Sequence, residues 1–146
     1  MGSSDDNGND NEQSLEAALA SAQAAVAGLS DQYIGWVRED MVRLEAAVAR
    51  VTDGQNDAAL RGVYDIAHDI KGQGSTFGYQ LVTGIANLLC RYAEAAASKR
   101  QVDRAIIDAH IEALHTVIDN RIQGDAGETG REILAALEGA ARKSFG

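Results

Sequence analysis

Near neutral pH, the side chains best suited to nucleophilic or proton-transfer chemistry in this chain are its three histidines, His68, His110 and His115, and its single cysteine, Cys90. His68 sits in a segment with helical periodicity. With successive residues about 100° apart and His68 at zero, Ile66, Phe77, Ile70, Val63, Gly74, Ala67 and Leu60 fall between roughly 160° and 280°. The centre of that apolar arc lies near 220°, so the imidazole points about 140° away from it, toward solvent or the edge of a bundle.

The same outward strip carries Tyr64 near -40°, Lys71 near -60°, Gly72 near 40° and Ser75 near -20°. An exposed imidazole thus has a cation one turn later and, beside it, a residue with no side chain. Glycine inside a helix costs about 1 kcal/mol relative to alanine, and clearance for a closely approaching partner would account for that cost. A neutral ring nitrogen suits nucleophilic capture of a phosphoryl group, and a lysine ammonium would steady its oxygens as a mobile point charge. The sequence shows no nucleotide loop and no acid-base dyad, so such an acceptor would need a partner to bring the metal and its acidic pocket. By geometry alone, a solvent-facing histidine with no chemical role fits the position at least as well.

The other candidates read as structural. His110 falls at the centre of the apolar arc formed by Val102, Ile106, Ile107, Ile111, Ala113, Leu114, Val117 and Ile118, which predicts a buried or half-buried ring satisfied by a hydrogen bond. His115 lies at the margin of that arc. The five-residue separation of these two histidines does not stack them as helical metal ligands. Cys90, within Ile85-Ala86-Asn87-Leu88-Leu89-Cys90, reads as a small buried side chain with no disulfide partner. Trp36, among Ile34, Val37 and Met41, is either a packing residue or an anchor for a partner. Gly72-Gln73-Gly74-Ser75-Thr76 lacks the preceding strand and the Gly-Lys-Ser/Thr ending of a phosphate loop.

The elements that must position these residues are helical almost throughout. From Ser14 onward the text is rich in Ala, Leu, Glu and Arg, and the chain has no proline. Leu15, Leu19, Ala22, Val26 and Leu29 outline a first helix that ends at Gly28 or runs on into the next. Ile34, Val37, Met41, Leu44, Val48 and Val51 share one face of a second helix, with Ser30 as its expected N-cap and Thr52 to Asn56 as a tight connection. A third helix is expected from about Asp57 to Thr76, ending near Gly78, and a fourth from about Tyr79 to Ala97. Ser98-Lys99-Arg100-Gln101 reads as the capping box of a fifth, and Thr129-Gly130-Arg131-Glu132 as the cap of a short last helix. Short joints favour antiparallel neighbours. The expected fold is therefore all-α: an up-down-up-down four-helix bundle with peripheral N- and C-terminal helices.

Composition sets the outer limits. The 146 residues suit one domain, with residues 1–13 as a disordered polar leader, 14–146 as a single helical domain and the bundle core at about 30–123. A net charge of -9 argues against a nucleic-acid surface. No apolar run spans a bilayer and no secretory leader is apparent, so a cytoplasmic protein without membrane insertion is expected.

The segment Ala67-His68-Asp69-Ile70-Lys71-Gly72-Gln73-Gly74-Ser75-Thr76-Phe77-Gly78 resembles the signature of histidine phosphotransfer domains, including the phosphotransfer module of chemotaxis-type kinases. That signature is a histidine, two residues, Lys-Gly, then small residues and a second glycine before the next helix. The resemblance implies that His68 is the phosphoacceptor, that Lys71 stabilises the phosphoryl group and that Gly72 admits the partner. Tyr64, Asp69, Gln73 and Ser75 would then form the docking rim. Gln73 departs from the small residues that many members carry there and would alter the rim that selects receivers. The implied partners are response-regulator receiver domains and a histidine kinase or hybrid kinase. No cofactor of its own is implied, Mg2+ being expected in the partner, and no autonomous kinase activity. Three other readings stand beside this one: a helical adaptor without phosphoryl chemistry, a dimerisation module in place of a monomer, and a kinase-associated phosphoacceptor domain.

Overall fold

The computed structural model describes residues 3–52 and 56–146, with side chains from residue 9 onward. The elements are α1 (Ser3–Val48), α2 (Asp57–Gly74), a 3-10 turn (Ser75–Phe77), α3 (Gln80–Lys99), α4 (Arg104–Asp119) and α5 (Gly127–Ser144). The fold class is all-α, as the periodicity predicts. Among the described residues the six expected helices become five, because the first two are one: Gly28 and Ser30 both lie inside α1. A lone glycine between Ala-rich stretches costs about 1 kcal/mol, too little to end a helix that has no proline to break it. Ser30 is therefore an interior helix residue rather than the start of a helix.

The chain divides into two compact units, Met1–Tyr33 and Ile34–Gly146. In the first, α1 begins at Ser3, inside the stretch whose composition predicts disorder. Its side chains Asn9 to Gln13 are all exposed, as are Leu15, Leu19, Val26 and Leu29.

The second unit holds the bundle. Four staves, residues 34–48 of α1 together with α2, α3 and α4, close on one another. Ala47 of α1 meets Gly62 of α2, and Trp36 meets Phe77 just beyond α2's end, so α1 and α2 run antiparallel. Tyr64 pairs with Cys90, and Lys71 with Thr83, which sets α3 antiparallel to α2. Arg38 lies 3.7 Å from Asp119, Glu45 2.5 Å from His115, and the Val51 carbonyl accepts from Arg104, which returns α4 antiparallel to α1. These pairings set α1 against α2, α2 against α3 and α4 against α1 in antiparallel sense. All six apolar residues expected on one face of the second helix, Ile34 to Val51, are buried, and they meet Leu60, Val63, Ile70, Leu81, Ile85, Leu89, Ile107, Leu114 and Ile118 in the core. Each large side chain so buried contributes about 1.5–3 kcal/mol, which is what holds the staves together.

Joints depart from the sequence reading more than staves do. Asp53, Gly54 and Gln55, at the centre of the expected tight connection, lie outside the described residues. Its ends are clamped, since the Thr52 N–H and hydroxyl both donate to Asn56 Oδ1 at 2.7 and 3.1 Å. The capping box at Ser98 does not form. Helix α3 continues to Lys99 and stops where Arg100 turns left-handed at φ 52°. The cap of α4 is Asp103, whose carboxylate accepts from Ala105 N–H at 3.0 Å. The reason is tertiary: the Tyr92 hydroxyl accepts from Asp103 N–H at 2.8 Å and donates to its carbonyl at 3.3 Å, fixing where the helix begins. Thr129 is likewise not a cap. Helix α5 opens at Gly127 after a left-handed Ala126, with Gly127 N–H donating to Asp125 Oδ1 at 2.9 Å. Gly130 is buried against the Asp125 carbonyl, so tightly that a Cβ there would collide with it. Helix α5 then lies along α3 and α4, with Leu134 against Gly84 and Gln101 Nε2 donating to the Ser144 carbonyl.

Candidate functional site

Helix α2 carries the candidate residues because its buried face is complete without them. Leu60, Val63, Ala67, Ile70 and Gly74 are buried. His68, Asp69, Gly72, Gln73 and Ser75 are exposed, while Tyr64 and Lys71 are half-buried. Of the residues placed in the apolar arc, Ile66 and Phe77 are only half-buried. Phe77 leaves the arc because the helix tightens into a 3-10 turn at Ser75, which rotates the last residues off the α-helical wheel.

Tyr64 and His68, one turn apart, stack with ring centroids 5.8 Å apart and planes at 24°. The phenol ring shields one face of the imidazole and leaves its edge to solvent. Lys71 and Gly72 occupy the following turn. A Cβ on Gly72 would meet nothing within 4 Å, so no feature of the fold requires glycine there. From Tyr64 toward the start of α2, a groove of about 670 Å³ runs between α2 and α3, flanked by Arg61 and Glu94.

The end of α2 is held by contacts that helical periodicity does not show. The Thr83 hydroxyl donates to the Lys71 carbonyl at 2.9 Å, and Gly74 lies against that same hydroxyl with no room for a Cβ. Gly78 turns left-handed at φ 85°, its N–H bonds the Ser75 carbonyl, and Tyr79 N–H bonds the Gly74 carbonyl at 2.8 Å. The Gly78 carbonyl also accepts from Gly124 N–H in the far joint at 2.7 Å, and the Gly124 carbonyl accepts from Leu81 N–H at 3.0 Å. Trp36 sets its ring edge-on to Phe77 at 5.7 Å and remains 45 % exposed, so it both packs and presents a surface. Thr83 is the residue that sequence reasoning misses. The inward position of Gly74 is the only hint of it, because a glycine facing the core signals a close approach without saying by what.

Behind the site, the Cys90 thiol donates to the Tyr64 carbonyl at 3.7 Å. Burial pushes the thiol up to about 11, more than the opposing Lys71 charge lowers it. His110 is buried as expected, with its ring 6.4 Å from that of Tyr92, and His115 is half-buried beside Glu45. Among the described residues no helix is long and apolar enough to cross a membrane.

The chain matches the Hpt domain over residues 28–124. No curated protein and no solved structure shows a match. The match takes in α2, α3 and α4 whole and leaves α5 outside. Covering well over half of the sequence, it shows that the chain belongs to the Hpt domain family, the helical bundles of histidine phosphotransfer in two-component signalling.

Proposed function

We propose that this chain is a cytoplasmic relay module in which His68 accepts a phosphoryl group from the aspartyl phosphate of a receiver domain, or from a histidine kinase, and passes it to another receiver. The observation that carries the reading is the position of His68: exposed at the middle of α2, braced on one face by Tyr64, one turn before Lys71 and beside a glycine whose missing side chain leaves open space.

In the forward step a neutral ring nitrogen attacks phosphorus, a P–N bond forms, and the P–O bond of the acyl phosphate breaks, returning the partner's carboxylate. Lys71 offsets charge on the phosphoryl oxygens as it changes hands. Gly72 lets the partner's backbone approach the ring. Asp69, Gln73 and Ser75 border this opening, and the groove beside Tyr64 extends it between α2 and α3. The magnesium ion that such a transfer uses is expected from the partner's acidic pocket.

The test is transfer from phosphorylated receiver domains to the intact chain. Acid-labile, base-stable label is expected on the parent and none on a His68→Gln variant with unchanged helicity. Equal labelling of that variant overturns the assignment.

A further inference from the structure

A cavity of about 470 Å³ opens between α3, α4 and α5, within the range of volumes that small-molecule sites occupy. Its walls are chiefly apolar and aromatic: Leu88, Tyr92 and Ala95 from α3, Ala141 from α5, and Phe145 just beyond it. Tyr92 and Phe145 stack at 5.4 Å with planes at 21°, and Tyr92 is pinned through its hydroxyl to Asp103, so this wall is preorganised. The α5 wall belongs to the part of the chain beyond residues 28–124, so the cavity is not explained by the Hpt match.

One polar group in the lining is His110, which is 1 % exposed. Its Nδ1 lies 2.7 Å from the Ile106 carbonyl, which can only accept, so Nδ1 carries the hydrogen. Burial lowers the ring's affinity for a second proton, leaving the neutral tautomer with Nε2 as a lone-pair acceptor. Among the described residues Nε2 has no hydrogen-bond partner. A buried, unpartnered acceptor on a residue that lines an aromatic cavity calls for a donor. At the mouth, Arg91 and Arg142 both approach Glu138, at 3.9 and 3.3 Å, and Glu94 supplies a second carboxylate. Among the lining residues the two positive and two negative charges balance, and the Lys99 ammonium stands 4.5 Å over the Phe145 ring, a cation set on an aromatic face.

We propose that this cavity is a binding site for an uncharged aromatic molecule of the phenol or indole class, whose O–H or N–H donates to His110 Nε2 while its ring lies against Tyr92 and Phe145. The site rests on α5 and on His110, and is independent of the chemistry at His68.

Phenol and indole are the probes, with toluene as the apolar control, titrated against the full chain by calorimetry and by 15N resonances of the histidine rings. Saturable one-site binding is expected, with the His110 Nε2 resonance moving and toluene binding about tenfold more weakly or worse for want of the hydrogen bond. His110→Leu should erase the preference for phenol over toluene. Ala141→Phe, which fills the cavity from an α5 position, should abolish binding of all three while His68 still takes up label from receivers. The proposal is overturned by the absence of saturation at the solubility limit, by equal binding of phenol and toluene, or by a ring found protonated at Nε2. Should His110→Leu not fold, persistence of phenol binding in Ala141→Phe decides against the site by itself.

Discussion

The hydroxyl of Thr83 donates to the carbonyl of Lys71 at 2.9 Å, in the space that a Cβ on residue 74 would take. Helix α3 therefore holds the last turn of α2, the turn that carries Lys71 and Gly72, through one hydrogen bond and one missing methyl group. Gly74→Ala would press on the Thr83 hydroxyl and also crowd Thr83 N and the Tyr79 carbonyl, each 3.1 Å from the new carbon. A loss of about 1–3 kcal/mol in urea unfolding is expected, the usual cost of overpacking a close contact. Adding Thr83→Ala should recover only part of it, because the backbone contacts remain.

Gly72→Ala should do the opposite. Its Cβ enters open solvent on an exposed helix position, so the variant is expected to be about 0.5–1 kcal/mol more stable. If Gly72 serves a partner's approach, the same variant transfers phosphoryl groups more slowly, and Gly72→Leu more slowly still. Rapid-quench transfer kinetics beside urea curves would separate the two effects. A stabilised variant with unchanged kinetics removes Gly72 from the site.

Lys71→Ala should leave the midpoint of unfolding within about 1 kcal/mol of the parent, since the side chain is half-buried on the outer strip. Phosphoryl transfer should slow by tenfold or more, on the order of the 1.4 kcal/mol that one lost charge-assisted contact supplies. An unchanged single-turnover rate would count against its electrostatic role.

His110 makes folding sensitive to mild acid. Its pKa is lowered in the folded protein by burial, from an ordinary value of 6.5. Below that value the unfolded chain binds a proton that the native ring resists, so its contribution to stability is complete above 6.5 and declines as pH falls below it. Urea midpoints between pH 7.5 and 5.5 should fall more steeply for the parent than for His110→Leu. Parallel slopes would show that the ring titrates normally.

Cys90 acts at the other extreme. With the thiol raised from 9.0 to about 11, the unfolded chain loses its proton first, so stability should decline as pH rises through that interval. At pH 8 the native thiol is expected to resist iodoacetamide and to react promptly once urea unfolds the bundle. Fast alkylation of the native protein would mean that α2 and α3 separate readily at Tyr64 and Cys90.

The helical staves were legible because burial on one face leaves a period in the text. Ile34 to Val48 on α1 and Leu60 to Ile70 on α2 repeat at three and four, and the same arithmetic turned His68 outward and His110 inward. Capping residues were less legible. Ser30, Ser98 and Thr129 all have cap chemistry, yet helix ends fall at Arg100, Asp103 and Ala126, where Tyr92 and the fold-back at Gly130 place them.

The amino-acid sequence by itself determined the helical class, the outward direction of His68, Gly72 and Ser75, and the buried setting of His110, because each depends on the angular order of residues along one helix. Only the tertiary structure decided that Thr83 secures the turn carrying Lys71, that Tyr92 chooses the start of α4, and that α5 walls an open cavity lined in part by His110. Those contacts join residues from different helices, and distance between helices is set by packing, which leaves no period in the sequence.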